Sequence, residues 1–597
     1  MIHLLIKMNR DMFPRIPLAL GLCLAFVAGT GRDLQAQGSD PQLLSRVKVP
    51  LSFNRLYDYP ALTDALKALA AGHPDLVTMR SLGKSVEGRD LWCLTVTNPK
   101  TGPDIKKPAM YVDGNIHGNE VQAGEASLYL AWFLAENYGK LEKVTQLLDR
   151  HTFYIVPTVN PDGRTYWFNA PNTTHSSRSG KNPFDDDRDG RADEDGFDDL
   201  DGDGQITQMR RADPKGRWKP SPDDPLRLIP AEPGEDGSYE LLGMEGIDND
   251  GDGRINEDPP GGYDMNRNFP ADWQPNHMQG GAGPFPLSWP ETQAVAEFIR
   301  AHPNIAGVQA FHNNGGMILR GPGHPSRQDE YPGADDQVAA AIGAAGEKML
   351  PYYKSIVIHK DLYPVRGGFI GWTYEHLGIF SFTNELYNTG QLLGELEMAG
   401  KAGGGRSEKE SERARDRLTL GGDVVAWHAV KHPLYGEIEV GGTVKQSQRV
   451  PPSFLLEELC HRNAAFVMYH AEQLPAVVMQ DVLVQKLGAD TTAVTVSLRN
   501  TTLIPSRSAQ AARRKLGRPD ELRLEGPGLT VIASGRLLDR YTGELESNEG
   551  PTARVRLEAG VGNSPVFVRW VVKGHGPASI TFEAEKAIDL SKQVAIP

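Results

Sequence analysis

The 597-residue chain contains very little cysteine, with three residues in total. One of them, Cys23, lies in an N-terminal segment that we expect to be removed, so only Cys93 and Cys460 remain. Two cysteines exclude a disulfide scaffold and a cysteine-rich metal site. They permit one bridge at most, and the sequence leaves open whether that bridge forms.

Basic charge is also in short supply. The chain has 63 Lys and Arg residues against 77 Asp and Glu residues, which gives a net charge of -14. We find no basic patch, so the sequence indicates no nucleic-acid partner. The acidic excess lies in one segment, because residues 185 to 258 contain 24 acidic and 9 basic residues. The negative charge therefore belongs to that segment and not to the whole fold.

Long apolar runs are absent except near the N-terminus. The run from 16 to 28 follows Lys7, Arg10 and Arg15 and precedes small residues. A short apolar run behind basic residues is typical of a secretory signal and is too short for a membrane span. We therefore predict a signal peptide over residues 1–36, an exported protein (periplasmic or secreted) and no membrane span.

The remaining chain divides by its patterning. Residues 50–475 alternate strand-like and helix-like segments, which predicts an α/β fold with a mixed sheet flanked by helices. Two stretches in this region, 178–262 and 395–420, lack such periodicity and are predicted to be surface insertions. Residues 476–597 contain short strands separated by turns, which predicts a β-sandwich domain that serves as a packing or adhesion module.

One stretch, residues 109–120, carries the strongest chemical signal. An apolar, strand-like run ends in a Gly-containing turn, and His117 and Glu120 follow three residues apart, just before a helical pattern. At this spacing an imidazole and a carboxylate can converge on one point, and with a third, distant ligand they can form a catalytic zinc site. The alternative is a helix N-terminus that carries a polar His and Glu by chance.

Four further clusters accompany this stretch. They are the Asn-Arg-Asn-Phe segment at 266–269, His312 at the end of an apolar strand, Tyr363 in a Gly-containing loop, and Glu385 within an apolar run. Together and in this order, the five clusters resemble the zinc carboxypeptidases of the carboxypeptidase A and B family. The resemblance extends over roughly residues 55–475 apart from the two insertions, and it implies the mixed α/β fold of that family.

The resemblance also implies a metal site. His117, Glu120 and His312 would be the three ligands of one catalytic Zn²⁺. Glu385 would be the general base that takes a proton from zinc-bound water and later gives it to the leaving amine. The alternatives are a satisfied buried histidine at position 312 and a structural ion pair at position 385.

Substrate-binding residues follow from the same resemblance. Asn266 and Arg267 would hold the terminal carboxylate of the substrate, since the planar fork of Arg forms two parallel hydrogen bonds with a carboxylate. Tyr363 would close over that carboxylate. Ile370 lies where related enzymes have a specificity residue, and its apolar side chain favours neutral or apolar terminal residues.

The resemblance also implies an arginine that stabilises the oxyanion, between the Asn-Pro-Asp-Gly turn at 160–163 and the Asn-Arg pair. We predict Arg178 for this role, and Arg164 and Arg188 are alternatives.

The acidic insertion contains three repeats of the first half of a calcium loop. Alternating oxygen ligands followed by a turn-forming Gly are what Ca²⁺ requires. The possible calcium ligands are Asp185, Asp187, Asp189, Asp199, Asp201, Asp203, Asp248, Asp250 and Asp252. The twelfth position of each loop is Gly196, Arg210 or Pro259 instead of Glu, so these are not ordinary helix-loop-helix sites. We predict calcium binding, and the alternative is a solvated acidic loop.

These patterns predict an enzyme, namely a zinc-dependent metallocarboxypeptidase that hydrolyses the C-terminal bond of peptides or proteins. One alternative is a cell-wall peptide amidase built on the same metal centre. A non-catalytic, calcium-dependent adhesion protein is disfavoured, because His117, Glu120, His312 and Glu385 are all intact.

Overall fold

The computed structural model describes residues 47–175, 183, 185, 187–222, 224–393, 415–447, 449–546 and 552–597. The predicted signal peptide and Arg178 lie outside the described residues, as does most of the predicted 395–420 insertion.

The strands and helices of the described chain have these bounds. The strands up to residue 475 are β1 Val77–Lys84, β2 Asp90–Val96, β3 Ala109–Gly114, β4 Thr152–Val156, β5 Gln208–Ala212, β6 Trp218–Pro220, β7 Leu228–Pro230, β8 Tyr239–Met244, β9 Ile305–Asn313, β10 Met317–Arg320, β11 Lys354–Val357, β12 Phe380–Leu386, β13 Val424–His432 and β14 Gly436–Thr443. The later strands are β15 Val477–Lys486, β16 Thr491–Asn500, β17 Asp520–Glu525, β18 Thr530–Arg536, β19 Arg554–Leu557, β20 Val566–Lys573, β21 Gly576–Glu583 and β22 Leu590–Ile596. The α-helices are α1 Tyr59–Gly72, α2 Gln122–Asn137, α3 Glu142–Arg150, α4 Pro161–Asn169, α5 Pro290–Ala301, α6 Gly333–Met349, α7 Ile358–Asp361, α8 Phe369–Leu377, α9 Thr389–Leu393, α10 Ser453–Glu472 and α11 Ala509–Arg514.

The central element is an eight-stranded sheet of order β1-β2-β4-β3-β9-β12-β10-β11. Its middle strands β4, β3, β9 and β12 are parallel, whereas β10 runs antiparallel to β12. Strands β3, β4 and β9 are buried along their whole length, in agreement with their continuous apolar sequences.

Helices cover both faces of this sheet. One core joins its strands to α1, α2 and α10, and a second core joins them to α5 and α8. The prediction of a mixed α/β sheet flanked by helices is confirmed. In parallel strands the carboxyl ends meet at one edge, so β3, β9 and β12 bring their last residues together there.

Strands β5 to β8 of the 178–262 insertion join β13 and β14 in one accessory sheet, of order β13-β14-β5-β8-β6-β7. Strand β5 pairs with β8 on one side and with β14, more than 200 residues away, on the other. The sequence pattern did not predict strands within 178–262. They are short and half exposed, and they pack only a small core around Met209, Ile438 and Val440, so no hydrophobic alternation marks them.

The C-terminal region consists of two antiparallel four-stranded sheets, β15-β16-β20-β18 and β19-β17-β21-β22. Their facing side chains form one core, in which Trp570, Val494 and Phe582 are fully buried. The predicted β-sandwich is confirmed.

Candidate active site

His117 and Glu120 lie in the turn that joins β3 to α2. The turn begins at Asn115, which has a φ of 56°, and the Asn115 side chain donates to the carbonyls of His117 (2.7 Å) and Gly118 (3.1 Å). Asn favours this left-handed conformation more than most residues do. The Asn side chain thus holds the turn that projects both candidate ligands from the end of the strand.

His312 and Glu385 reach the same place from neighbouring parallel strands. His312 lies near the end of β9, and Glu385 is its direct partner in the register of β12. Side chains at paired positions of adjacent strands point to the same side of a sheet. The fold thereby places the predicted base beside a predicted ligand.

Three side chains form a candidate metal centre. His117 Nδ1 lies 3.0 Å from Glu120 Oε1, and His312 Nδ1 lies 3.0 Å from Glu120 Oε2. The two Nδ1 atoms are 3.2 Å apart, and all three side chains are buried. Two imidazole nitrogens and a carboxylate that converge in this way are the donor set of a catalytic zinc site. The residues therefore fit a zinc ion.

Other groups orient this centre. Asp264 Oδ1 lies 3.0 Å from His117 Nε2, and the backbone N–H of Asn313 donates to Glu120 Oε2 at 3.1 Å. Arg449 Nη2 donates to Glu120 Oε1 at 3.3 Å. Partners of this kind fix the tautomer and the orientation of metal ligands. The sequence analysis did not single out Asp264, Asn313 or Arg449.

The charge state of Glu120 suits a metal ligand. Burial by itself would raise the pKa of this carboxyl, but the neighbouring imidazoles of His117 and His312 outweigh burial and hold the pKa well below its usual value. The carboxylate is therefore ionised at neutral pH.

Asn266 and Arg267 lie in a short 3-10 turn, Met265–Arg267, which Asp264 caps by accepting from the Asn266 N–H at 2.8 Å. Asn266 Oδ1 accepts from the Phe369 N–H at 2.8 Å, which ties the turn to the start of α8. Gly367 has a φ of 65°, and a Cβ at this position would lie 2.2 Å from the Arg267 carbonyl oxygen. Only glycine permits this close approach of the two backbone segments.

One cavity joins these groups. His117, His312, Asn266, Arg267, Tyr363, Ile370 and Glu385 all line it. Tyr363 is 49% exposed, whereas Ile370 is buried in the wall. The same cavity is lined by Asp272, Arg327 and Glu375, three charged residues that the sequence analysis did not single out.

The predicted oxyanion arginine, Arg178, lies outside the described residues. The alternative Arg164 does not serve this role, because its side chain is fully buried and pairs with Glu125 at 2.6 Å. It also donates to the Tyr57 and Val121 carbonyls. Arg188 lies exposed in the acidic insertion with a φ of 70°.

The three acidic loops adopt one local conformation. In each, the first Asp accepts from the Gly N–H five residues later: Gly190 to Asp185 at 3.2 Å, Gly204 to Asp199 at 2.9 Å, and Gly253 to Asp248 at 3.0 Å. Carboxylates of the first and third loops approach those of neighbouring acidic residues. The groups close enough to share an ion include Asp185 with Asp187 and Asp258, and Asp195 with Asp250 and Glu257.

The structure also describes the two cysteines and the lengths of the helices. Cys93 and Cys460 are both buried and free, so they form no bridge. Among the described residues, no helix combines the length and apolar character needed to cross a membrane.

A family model described as zinc carboxypeptidase matches residues 62–221 and 235–400, more than half of the chain. The chain therefore belongs to the zinc carboxypeptidase family, a family of zinc-dependent peptide hydrolases. The predicted membership of the zinc carboxypeptidase family and the prediction of an enzyme are confirmed. Residues 476–595 match a second model, described as a domain of unknown function.

Individual relatives match parts of the chain. Human carboxypeptidase D (Homo sapiens) is 36% identical over 135 residues, which is 22% of this chain and 10% of that protein. Carboxypeptidase A1 of Sus scrofa is 25% identical over 345 residues, 55% of this chain and 61% of that protein. Carboxypeptidase B of Rattus norvegicus is 23% identical over 356 residues, 57% and 65% respectively. The chain thus spans a tenth of carboxypeptidase D and less than two thirds of the other two.

The chain is also similar to solved structures. The crystal structure of thrombin activatable fibrinolysis inhibitor has 18% identity and a TM-score of 0.42, and the match covers 72% of this chain and 82% of that one. Carboxypeptidase A from Helicoverpa armigera has 18% identity and a TM-score of 0.42, with 72% and 78% covered.

Proposed function

We propose that this protein is a zinc-dependent carboxypeptidase that removes the last residue of peptides or proteins. The observation that carries the proposal is one cavity lined both by two of the metal-centre residues, His117 and His312, and by Arg267 and Glu385. A cavity that holds a metal centre, a base and a buried guanidinium is equipped to recognise a free carboxylate and to cleave the bond next to it.

His117, Glu120 and His312 would hold the zinc ion. When bound, zinc polarises a carbonyl oxygen and lowers the pKa of water. Asp264 orients the His117 ring through the 3.0 Å contact at Nε2. Arg449 and the Asn313 N–H hold the two oxygens of Glu120.

Glu385 would accept the proton of the attacking water and deliver it to the nitrogen of the leaving residue. Its position beside His312 in the sheet register supports this role. A carboxylate that lines the same cavity as the two candidate ligands His117 and His312 is placed to transfer protons there.

Arg267 and Asn266 would bind the terminal carboxylate of the substrate. The Arg267 side chain is mostly buried, and its Nη1 lies 3.9 Å from Asp264 Oδ2, beyond hydrogen-bond distance. A guanidinium held this loosely by a carboxylate retains donors for an incoming carboxylate. Tyr363, exposed at the cavity, would cover the bound end, and Ile370 would contact the terminal side chain.

Arg178 remains our proposal for the group that stabilises the oxyanion.

The proposal is tested with peptides that carry either a free or an amidated C-terminus. The parent chain should release the last residue from the free peptide only. Glu385→Gln should abolish turnover while zinc content stays near one per chain; loss of zinc instead would mean that Glu385 is structural.

Arg267→Ala should raise KM for the free peptide with zinc content unchanged. Equal cleavage of free and amidated peptides by the parent chain would contradict the assigned role of Arg267.

We also propose that the acidic insertion binds Ca²⁺. The shared conformation of the three loops and the close carboxylates around Asp195 and Asp258 support this. Repulsion among nearby carboxylates also supports it: desolvation and the charges of Asp258 and Asp189 raise the pKa of Glu194 to about 7.

Export of the protein likewise remains a proposal, supported by the basic and apolar pattern of residues 1–36. N-terminal sequencing of protein recovered outside the cytoplasm should give a start close to residue 37. A start at residue 1 would contradict it.

A further inference from the structure

Helix α11 of the β-sandwich packs directly against the catalytic unit. Asp335, in the first turn of α6, accepts from the Ala509 N–H and the Gln510 N–H, both at 2.9 Å. Ser508 Oγ donates to the Gly378 carbonyl at 2.8 Å. Gly378 has a φ of 65°, and a Cβ there would lie 2.7 Å from Ala511 Cβ, so the two units fit closely. This contact positions α11 firmly.

Three side chains of α11 converge on one carboxylate of the catalytic unit, Glu330. Gln510 Nε2 donates to Glu330 Oε2 at 3.1 Å and also to the Glu375 carbonyl at 3.2 Å. Arg513 Nη2 and Arg514 Nη1 both lie 3.0 Å from Glu330 Oε2. Two cations of the C-terminal domain therefore neutralise one anion of the catalytic unit.

Glu330 in turn lies next to a charged pair of the catalytic cavity. Arg327 donates to Glu375 Oε2 from both Nε (2.9 Å) and Nη2 (2.7 Å). The same Nη2 is 3.8 Å from Glu330 Oε1. Arg327 is thus placed between two carboxylates, and both Arg327 and Glu375 line the cavity.

We propose that the C-terminal domain sets the charge of the pocket for the terminal side chain. Arg513 and Arg514 neutralise Glu330, so Arg327 stays paired with Glu375 and the pocket presents a balanced pair. This inference rests on the proposed carboxypeptidase function. It gives the domain of unknown function a role in substrate selection, with Arg513 and Arg514 as positioning residues.

Glu330 and Glu375 compete for Arg327, and this competition determines how loss of the two α11 arginines changes the charge of the pocket. Without the two arginines, no cation of α11 balances the negative charge of Glu330, and this charge attracts Arg327 away from Glu375. The Glu375 carboxylate then becomes available to the substrate. The kcat/KM for peptides with a basic terminal side chain should therefore rise relative to that for peptides with an acidic one. The kcat/KM for a terminal alanine should not change, because its side chain is too short to reach the pair.

The experiment uses the full chain and three peptides that differ only in the last residue, which is Ala, Lys or Glu. In the double variant Arg513→Gln/Arg514→Gln, the ratio of kcat/KM for Lys over Glu should rise about two- to five-fold, the size expected for partly exposed ion pairs. The value for the Ala peptide should stay the same. Arg513→Lys/Arg514→Lys keeps both charges and should restore the parent ratio.

Arg518→Gln is the matched control. Arg518 lies on the same domain, exposed and 3.5 Å from Glu583. Its substitution should leave kcat/KM unchanged for all three peptides, and with it the Lys-to-Glu ratio.

An unchanged Lys-to-Glu ratio in the double variant would overturn the inference. An equal loss of kcat/KM for all three peptides together with a lowered Tm would also overturn it, because it would indicate a purely structural contact. Failure of the parent chain to cleave any of the three peptides would instead count against the proposed function. In that case the ratio of Kd values for the Lys and Glu peptides, measured with and without the double substitution, decides the inference, and an unchanged ratio overturns it.

Discussion

Arg449 lies outside every motif of the sequence analysis, yet its side chain contacts the candidate metal centre. Its guanidinium donates to Glu120 Oε1 at 3.3 Å and also to the Asn313 carbonyl. It follows β14, so it connects the accessory sheet to the metal ligands. A carboxylate ligand held in this way is pre-oriented for the ion.

We predict that Arg449→Gln weakens zinc binding by about 10- to 100-fold, the usual cost of losing a partner of a metal ligand. Competition with a zinc chelator measures this affinity directly. Arg462→Gln is the control, since Arg462 pairs with Glu458 on the surface of α10. Zinc affinity equal to that of the parent would exclude a role for Arg449 in holding Glu120.

Glu291, at the start of α5, gives a prediction for pH dependence. Its Oε1 accepts from the Val86 N–H at 3.0 Å, its Oε2 has no hydrogen-bond partner within the described part of the chain, and burial raises its pKa to about 7. Because the folded pKa lies above the unfolded value, the folded state binds the extra proton. The stability that this proton provides is complete below about pH 4 and is lost as the pH rises through about 7.

In the parent chain the unfolding free energy should fall between pH 5 and pH 8. Glu291→Gln should make this fall smaller by about 1–3 kcal/mol, because the amide does not ionise. Urea unfolding at each pH measures it, with Glu297→Gln, an exposed position of the same helix, as the control. A slope identical to that of the parent would show that Glu291 is already ionised in the fold.

At the residue scale, sequence spacing identified His117 and Glu120, because both lie in one turn and their convergence is local. Asp264 and Arg449 were not found, because they lie 147 and 329 residues from the ligands they contact. Only the fold brings such partners together. The charged pair Arg327 and Glu375 was missed for a related reason, since ordinary surface helices carry the same residue types.

At the scale of single elements, the link between the 365–368 loop and the Met265–Arg267 turn determines where Arg267 points. The Phe269 N–H donates to the Gly367 carbonyl at 2.9 Å, and the Gly367 N–H donates to the Ala271 carbonyl at 3.2 Å. A side chain at Gly367 would both strain a left-handed backbone and collide with Arg267.

We predict that Gly367→Ala raises KM for free peptides by about tenfold or more and costs roughly 1–3 kcal/mol of stability, with zinc content unchanged. Steady-state kinetics and zinc analysis check this. Gly280→Ala is the control, because a Cβ there meets nothing within 4 Å. A parent-like KM for Gly367→Ala would show that the turn does not depend on this loop.

Elements differed in how well the sequence predicted them. The buried strands β3 and β9 were predicted, because continuous apolar runs mark them. The accessory strands β5 to β8 were not predicted. Strand β5 pairs with β14, more than 200 residues further along the chain, and no local pattern reveals such a partner.

At the scale of the whole molecule, the accessory sheet and the acidic loops form a region whose stability should depend on calcium. Buried carboxylates such as Asp195 and Asp258 lie close to other acidic groups, and a bound cation would remove their repulsion. An ion that binds only the folded state stabilises it by mass action.

Removing calcium from zinc-loaded protein should therefore lower Tm by roughly 2–3 °C, as expected for a chain of this size and an ion present at about 100 times its Kd. Differential scanning calorimetry in calcium and in a calcium-selective chelator measures the change. Asp187→Asn should remove most of the difference, whereas Asp213→Asn, in the same insertion but outside the three loops, should retain it. The same Tm with and without calcium would mean that these loops are merely solvated.

The central claim is that three side chains from two distant segments hold one catalytic zinc ion. It is tested most directly by titrating metal-free protein with Zn²⁺ while following release of the last residue from a peptide with a free C-terminus. We predict that the rate rises linearly to one equivalent of zinc and then stays constant, and that His312→Ala shows no such rise. Full activity in the metal-free protein, or a parent-like titration curve in His312→Ala, would contradict the account.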